Sequence, residues 1–113
     1  MKRDETPLMT LAQRAEAKSI GEKLARLRVA RRIRQVDAAA RAGLSRSTAA
    51  LIEKGDPGRT LAQVLRYLGA VAPGLTLLAL LQDEDPSLRA LAAREATKRV
   101  RALSPSELKD LDF

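Results

Sequence analysis

Arg46, Ser47 and Thr48 follow directly on Ser45, a residue type whose side-chain oxygen caps the free amides of a helix's first turn. A guanidinium and two hydroxyls are thereby presented together on the opening turn of one helix. Arginine has the donor geometry to grip guanine O6 and N7, and hydroxyls hydrogen-bond to base edges or phosphates. Leu51, one turn further on, either meets a thymine methyl or turns into the core. Lys54, Arg59 and Arg34 surround these residues as candidate phosphate contacts, which add affinity and salt dependence rather than sequence choice.

The elements that position this group are legible in QVDAAARAGLSRSTAALIEK, residues 35 to 54. Apolar positions at 36, 39, 40 and 42 predict a helix of about two turns, and Gly43 ends it in left-handed geometry. Ala39 is small enough to sit where two helices cross, Ser45 caps the second helix, and Ile52 points back into the core. Glu53 reads as a structural residue that pairs within the domain. The pattern is a helix-turn-helix, the arrangement that places its second helix in the DNA major groove.

The chain has 113 residues, 45% of them hydrophobic, which suits one domain with one modest core. Tyr67 and Phe113 are its only aromatics, too few for stacking on unpaired bases, so duplex rather than single-strand recognition is expected. It contains no histidine and no cysteine, which removes imidazole bases, thiol nucleophiles, disulfides and finger-type zinc sites together. The carboxylates Asp83, Glu84 and Asp85 read as a helix cap and polar turn, so no enzyme, cofactor or metal is expected. The N-terminus lacks the apolar core of a signal peptide, and the longest apolar stretch, 68–81, is broken by Pro73 and Gly74. A soluble, cytoplasmic protein without a membrane partner is expected.

Charge is unevenly placed. Residues 19–68 hold eleven basic and four acidic side chains, a net +7, whereas 1–18 carry +1 and 69–113 carry −1. A basic module joined to a neutral one suggests a nucleic-acid face joined to a protein-contact part.

Capping-box spacings at Thr10/Gln13, Ser19/Glu22, Thr60/Gln63 and Ser104/Glu107 mark four candidate helix starts. The first core helix is expected from about Ile20 to Arg32, with Ile20, Leu24, Leu27 and Ala30 inward, and an extension back through Leu11 is left open. After the turn-rich GDPGR, a helix from Thr60 is expected to close the core with Leu61, Val64, Leu65 and Leu68. LTLLALLQ reads as a short fifth helix. A sixth starts at Pro86 behind Asp85 and continues through Val100.

Residues 20–71 resemble the helix-turn-helix of the Xre or Cro/cI regulators. The resemblance rests on Gln35, Ala39, Gly43-Leu44-Ser45, Ile52-Glu53-Lys54-Gly55 and the LxxVLxxLG run from Leu61. It implies an all-α, five-helix lambda-repressor-like fold, with an arm at 1–18, the helix-turn-helix DNA-binding core at 19–73, and the fifth helix and a C-terminal helical extension for dimerisation or partner binding at 74–113. It further implies that Gln35 binds phosphate and braces the recognition helix, and that Arg46, Ser47 and Thr48 reach base edges or the adjacent backbone. Ala49, Ala50 and Leu51 depart from the family by leaving few polar atoms beyond the first turn. Arg34 stands where a threonine or serine is usual, which puts the cap of that helix in question.

Such domains commonly bind double-stranded DNA as homodimers on inverted repeats, and that places Leu77, Leu78, Leu81, Leu88, Leu91 and Val100 at a dimer or partner interface. A repressor of its own operon is the implied role. Residues 55–71 are similar to HipB-type antitoxins, which adds a toxin as an alternative partner. A protein-interaction adaptor of the same fold, without specific DNA binding, is the competing reading.

Overall fold

In the computed structural model, which describes residues 6–82 and 85–102, the 3-10 turn Thr6–Leu8 leads into six α-helices. These are α1 (Leu11–Ala30), α2 (Gln35–Ala42), α3 (Arg46–Glu53), α4 (Leu61–Val71), α5 (Leu77–Leu81) and α6 (Pro86–Ala102), and there is no strand among the described residues. The fold is all-α.

Helix starts follow side-chain chemistry. Thr10 and Thr60 each form a complete capping box with the glutamine three residues on, and Ser45 and Thr76 cap α3 and α5. Ser19, by contrast, lies inside α1 and starts nothing. The upstream run LAQRAEAK is made of strong helix formers behind its own box at Thr10, so the helix passes through Ser19 uninterrupted. The spacing at Ser104 lies outside the described residues.

The core is one cluster built from Leu24, Leu27, Ala38, Ala39, Ala42, Ala49, Ile52, Tyr67, Leu68, Val71, Ala72 and Leu80, with Ile20, Val64, Leu77 and Leu88 packed against it. Helix α4 meets this core through Val64, Tyr67, Leu68 and Val71. The expectation that Leu61 and Leu65 face inward is corrected, since they are 64% and 45% exposed. The stripe is rotated because the phenol of Tyr67 finds a buried carboxylate, described below, and carries its ring inward.

Two helices cross closely at Gly21. A Cβ added there would stand 2.4 Å from the Gly55 amide nitrogen and 2.7 Å from the Ile52 carbonyl oxygen. Any side chain at this position would drive α1 off the C-terminal turn of α3. At its own C-terminus α1 ends with Arg32 in the left-handed region (φ 57°), and the Ile33 amide donates back to the Arg28 carbonyl at 3.1 Å. This is the closing geometry that glycine usually supplies.

Helix α6 starts where Asp85 caps it. One carboxylate oxygen accepts from the amides of Ser87 (2.9 Å) and Leu88 (3.2 Å), and the other accepts from Arg31 of α1 (2.9 Å). The buried Asp85 thus joins the end of α1 to the beginning of α6. Arg26 also donates to Glu95 through its two terminal guanidinium nitrogens, Nη2 at 2.6 Å and Nη1 at 3.2 Å.

Candidate nucleic-acid interface

The turn between α2 and α3 is fixed from three sides. Gly43 adopts φ 70° and ψ 31°, and the Leu44 amide reaches back to the Ala39 carbonyl at 2.9 Å. Arg66 of α4 donates to the carbonyls of Ala42 (3.2 Å) and Gly43 (3.0 Å), satisfying acceptors that the end of α2 leaves free. Ser45 then accepts from the Thr48 amide at 3.1 Å. At the other end of α2, Arg34 makes no side-chain cap and pairs instead with Asp37 at 3.0 Å, as an arginine lacking an acceptor oxygen must.

This cap draws in two of the three expected base readers. The Ser45 hydroxyl donates to Thr48 Oγ1 at 2.9 Å and lies 3.1 Å from Ser47 Oγ. Arg46 is exposed and makes no hydrogen bond or ion pair among the described residues. Its guanidinium is therefore available as a whole, while Ser47 and Thr48 offer hydroxyls already engaged with their neighbour. Leu51 is half-buried. Ala39, Gly43, Ser45 and Ile52 occupy the crossing, turn, cap and core positions.

Behind α3 lies a polar hub that ties four helices to one carboxylate. Glu53, whose side chain is 8% exposed, accepts from Arg28 of α1 at 2.6 and 3.0 Å, from Gln35 of α2 at 3.1 Å and from the Tyr67 hydroxyl of α4. Arg28 also donates to the Ile33 carbonyl at 2.9 Å, so it holds the α1–α2 turn as well. Burial pushes the Glu53 carboxyl upward, but the hydrogen bonds from Arg28, Tyr67 and Gln35 outweigh it and hold the group below the ordinary carboxylate range. Burial and then the adjacent carboxylate raise the Tyr67 phenol, which keeps its proton and its role as donor. Glu53 is accordingly a structural residue, and Gln35 braces α3 through it.

The cations divide into engaged and free. Arg34 is exposed but paired with Asp37. The Arg59 side chain is only 10% exposed and turns toward Asp56 at 3.6 Å, with its Nε lacking a hydrogen-bond acceptor. Lys54 at the end of α3, Arg41 on α2 and Arg32 at the α1–α2 turn are exposed. Of the apolar interface candidates, Leu77 and Leu88 pack in part against the chain's own core and Leu91 is half-buried, whereas Leu78 is 72% and Leu81 39% exposed. The side chain of Val100 lies outside what is described.

Sequence reasoning missed Arg28, Arg66 and Tyr67. The first carried a signal, since Arg28 follows Leu24 and Leu27 on the inward stripe of α1, where an arginine requires a partner. Arg66 carried none, because nothing local relates it to a turn more than twenty residues away.

Residues 19–81, more than half of the chain, match the model of the helix-turn-helix domain family, and the chain belongs to that family. No curated protein matches it, and no solved structure does. The family match and the α2–α3 geometry define a DNA-binding domain, since this motif serves to dock its second helix in the major groove. No helix among the described residues is long and apolar enough to cross a membrane.

Proposed function

We propose that this protein is a sequence-specific regulator of transcription, of the Xre or Cro/cI type, that binds double-stranded DNA and represses by occupying its site. The observation that carries the reading is the opening turn of α3. It is exposed, it bears an arginine with no internal partner, and the rest of the helix is held rigidly from behind by Glu53. Holding the backbone of α3 in place removes the cost of ordering the helix on binding, so that only the Arg46 side chain is left to order. Arg46 reads a guanine, Ser47 and Thr48 add contacts through oxygens shared with the cap, and Gln35, Lys54 and Arg34 hold phosphates.

Binding as a two-fold dimer is part of the proposal, because a single motif covers one half-site. Recognition helices of a dimer on an inverted repeat stand about 34 Å apart. Leu78 and Leu81, exposed on α5, are the apolar residues offered for that contact. A toxin partner rests on the likeness of residues 55–71 alone, and the fold adds nothing to it.

The test is a gel-retardation titration of the full chain on the DNA upstream of its own gene, at low salt, beside an unrelated fragment of equal length. Preferred retardation of the upstream fragment is expected. Equal retardation of both fragments contradicts sequence specificity, and retardation of neither leaves the adaptor reading in its place.

A further inference from the structure

Helix α6 carries five arginine or lysine residues against the single acid Glu95. The near-neutral charge of 69–113 conceals this, because the balancing acids lie before and after the helix rather than on it. Glu95 is itself taken by Arg26, which leaves Arg89, Arg94, Lys98 and Arg99 exposed and without an ion pair among the described residues. Arg94 and Lys98 are four residues apart and so lie one above the other, with Ala93 and Thr97 beside them.

The position of this face is set by α1. Gly21, Leu24 and Arg28 turn toward α3 and the core, whereas Glu22, Lys23 and Arg26 line a groove with Leu88, Arg89 and Ala92 of α6. At 100° per residue these two sets lie on opposite sides of α1. The cations of α6 are thus carried on the far side of α1 from the helix that enters the groove.

We infer that α6 is a second duplex-binding face, which takes the phosphate backbone of a DNA segment other than the one read by α3. The inference rests on the DNA-binding reading above. Between the exposed cations the described part of α6 offers alanine, threonine and the paired Glu95, with no aromatic or large aliphatic anchor of the kind that carries protein interfaces. Its leucines, 88 and 91, are half-buried rather than turned outward, so it also lacks the apolar face that membrane-surface helices insert. What remains is positive charge on more than one side of the helix, with Arg94 and Lys98 stacked one turn apart and a single acid already held by Arg26, which suits a polyanion read without regard to sequence. Once α3 holds one duplex, a second is captured by charge alone.

The test uses the full chain, a bead-immobilised duplex bearing the preferred upstream sequence and a labelled free duplex of unrelated sequence. The wild type is expected to retain the labelled duplex on the beads. The triple variant Arg94→Gln/Lys98→Gln/Arg99→Gln is expected to lose that retention at least tenfold, while its affinity for a single preferred duplex changes less than about twofold. In the wild type, capture should fall with salt more steeply than in the variant, by a slope of roughly 2 to 3. Glutamine keeps helix propensity, and an unchanged far-ultraviolet spectrum shows that the variant is folded. Capture that survives the triple substitution overturns the inference. So does a wild type that binds the preferred duplex in an Arg46-dependent way yet captures no second one, or a variant that loses single-duplex affinity in parallel. A wild type that binds neither duplex overturns the DNA-binding reading along with it.

Discussion

Glu53 connects stability to function at the scale of one residue, because the same carboxylate holds α1, α2 and α4 against the helix that is to meet DNA. Glu53→Gln keeps the volume and removes the charge, leaving Arg28 largely buried without its counterion. A loss of about 3 kcal/mol is expected, read as a lower urea midpoint. Tyr67→Phe removes one hydrogen bond to a charged acceptor and is expected to cost about 2 kcal/mol. The Glu53 carboxyl, lowered in the folded state, contributes stability at any pH above the ordinary glutamate value of about 4.3, and that stability is lost as pH falls through the lowered value. Asp85, also lowered, acts in the same direction. The raised Tyr67 phenol contributes below its ordinary value of about 10 and loses its contribution as pH rises beyond it. Urea midpoints measured against pH should therefore fall on both sides, and Glu53→Gln should flatten the acidic fall. The inward role of Glu53 was legible in the sequence. Its partners were not, because Arg28 and Tyr67 stand 25 and 14 residues away, beyond any helical period.

Among the elements, the α2–α3 turn was the most legible, since Gly43 and Ser45 each have a local chemistry that allows few alternatives. Gly43→Ala is expected to cost roughly 1–2 kcal/mol for the left-handed backbone. Its new Cβ would stand 2.9 Å from an Arg66 guanidinium nitrogen, so Arg66 must yield. The double variant Gly43→Ala/Arg66→Ala should therefore cost less than the sum of the two single variants in thermal unfolding. The α1–α2 turn works the other way. Arg32 holds φ 57° with a side chain, so Arg32→Gly is expected to stabilise the fold by roughly 0.5–1 kcal/mol while Arg32→Ala does not. Where sequence reading failed at this scale, a tertiary partner was the cause. A capping box at Ser19 is indistinguishable locally from a true start, and the face that α4 buries was decided by Tyr67 reaching Glu53.

Seen as a whole, the molecule places α1 between α3 and α6. One side supports α3, and the other carries α6 through Leu88, Asp85–Arg31 and the exposed Arg26–Glu95 pair. Charge summed over long segments located the basic motif correctly but averaged away the basic helix, because sequence blocks do not respect the edges of elements. If the opening turn of α3 reads bases through Arg46, discrimination between duplexes depends on that one side chain. Affinity for the preferred upstream duplex divided by affinity for an unrelated duplex, at one salt concentration, should fall roughly 10- to 100-fold in Arg46→Ala, the value of one bidentate guanine contact, with the urea midpoint unchanged. A ratio that stays at the wild-type value in a folded Arg46→Ala protein would contradict the account.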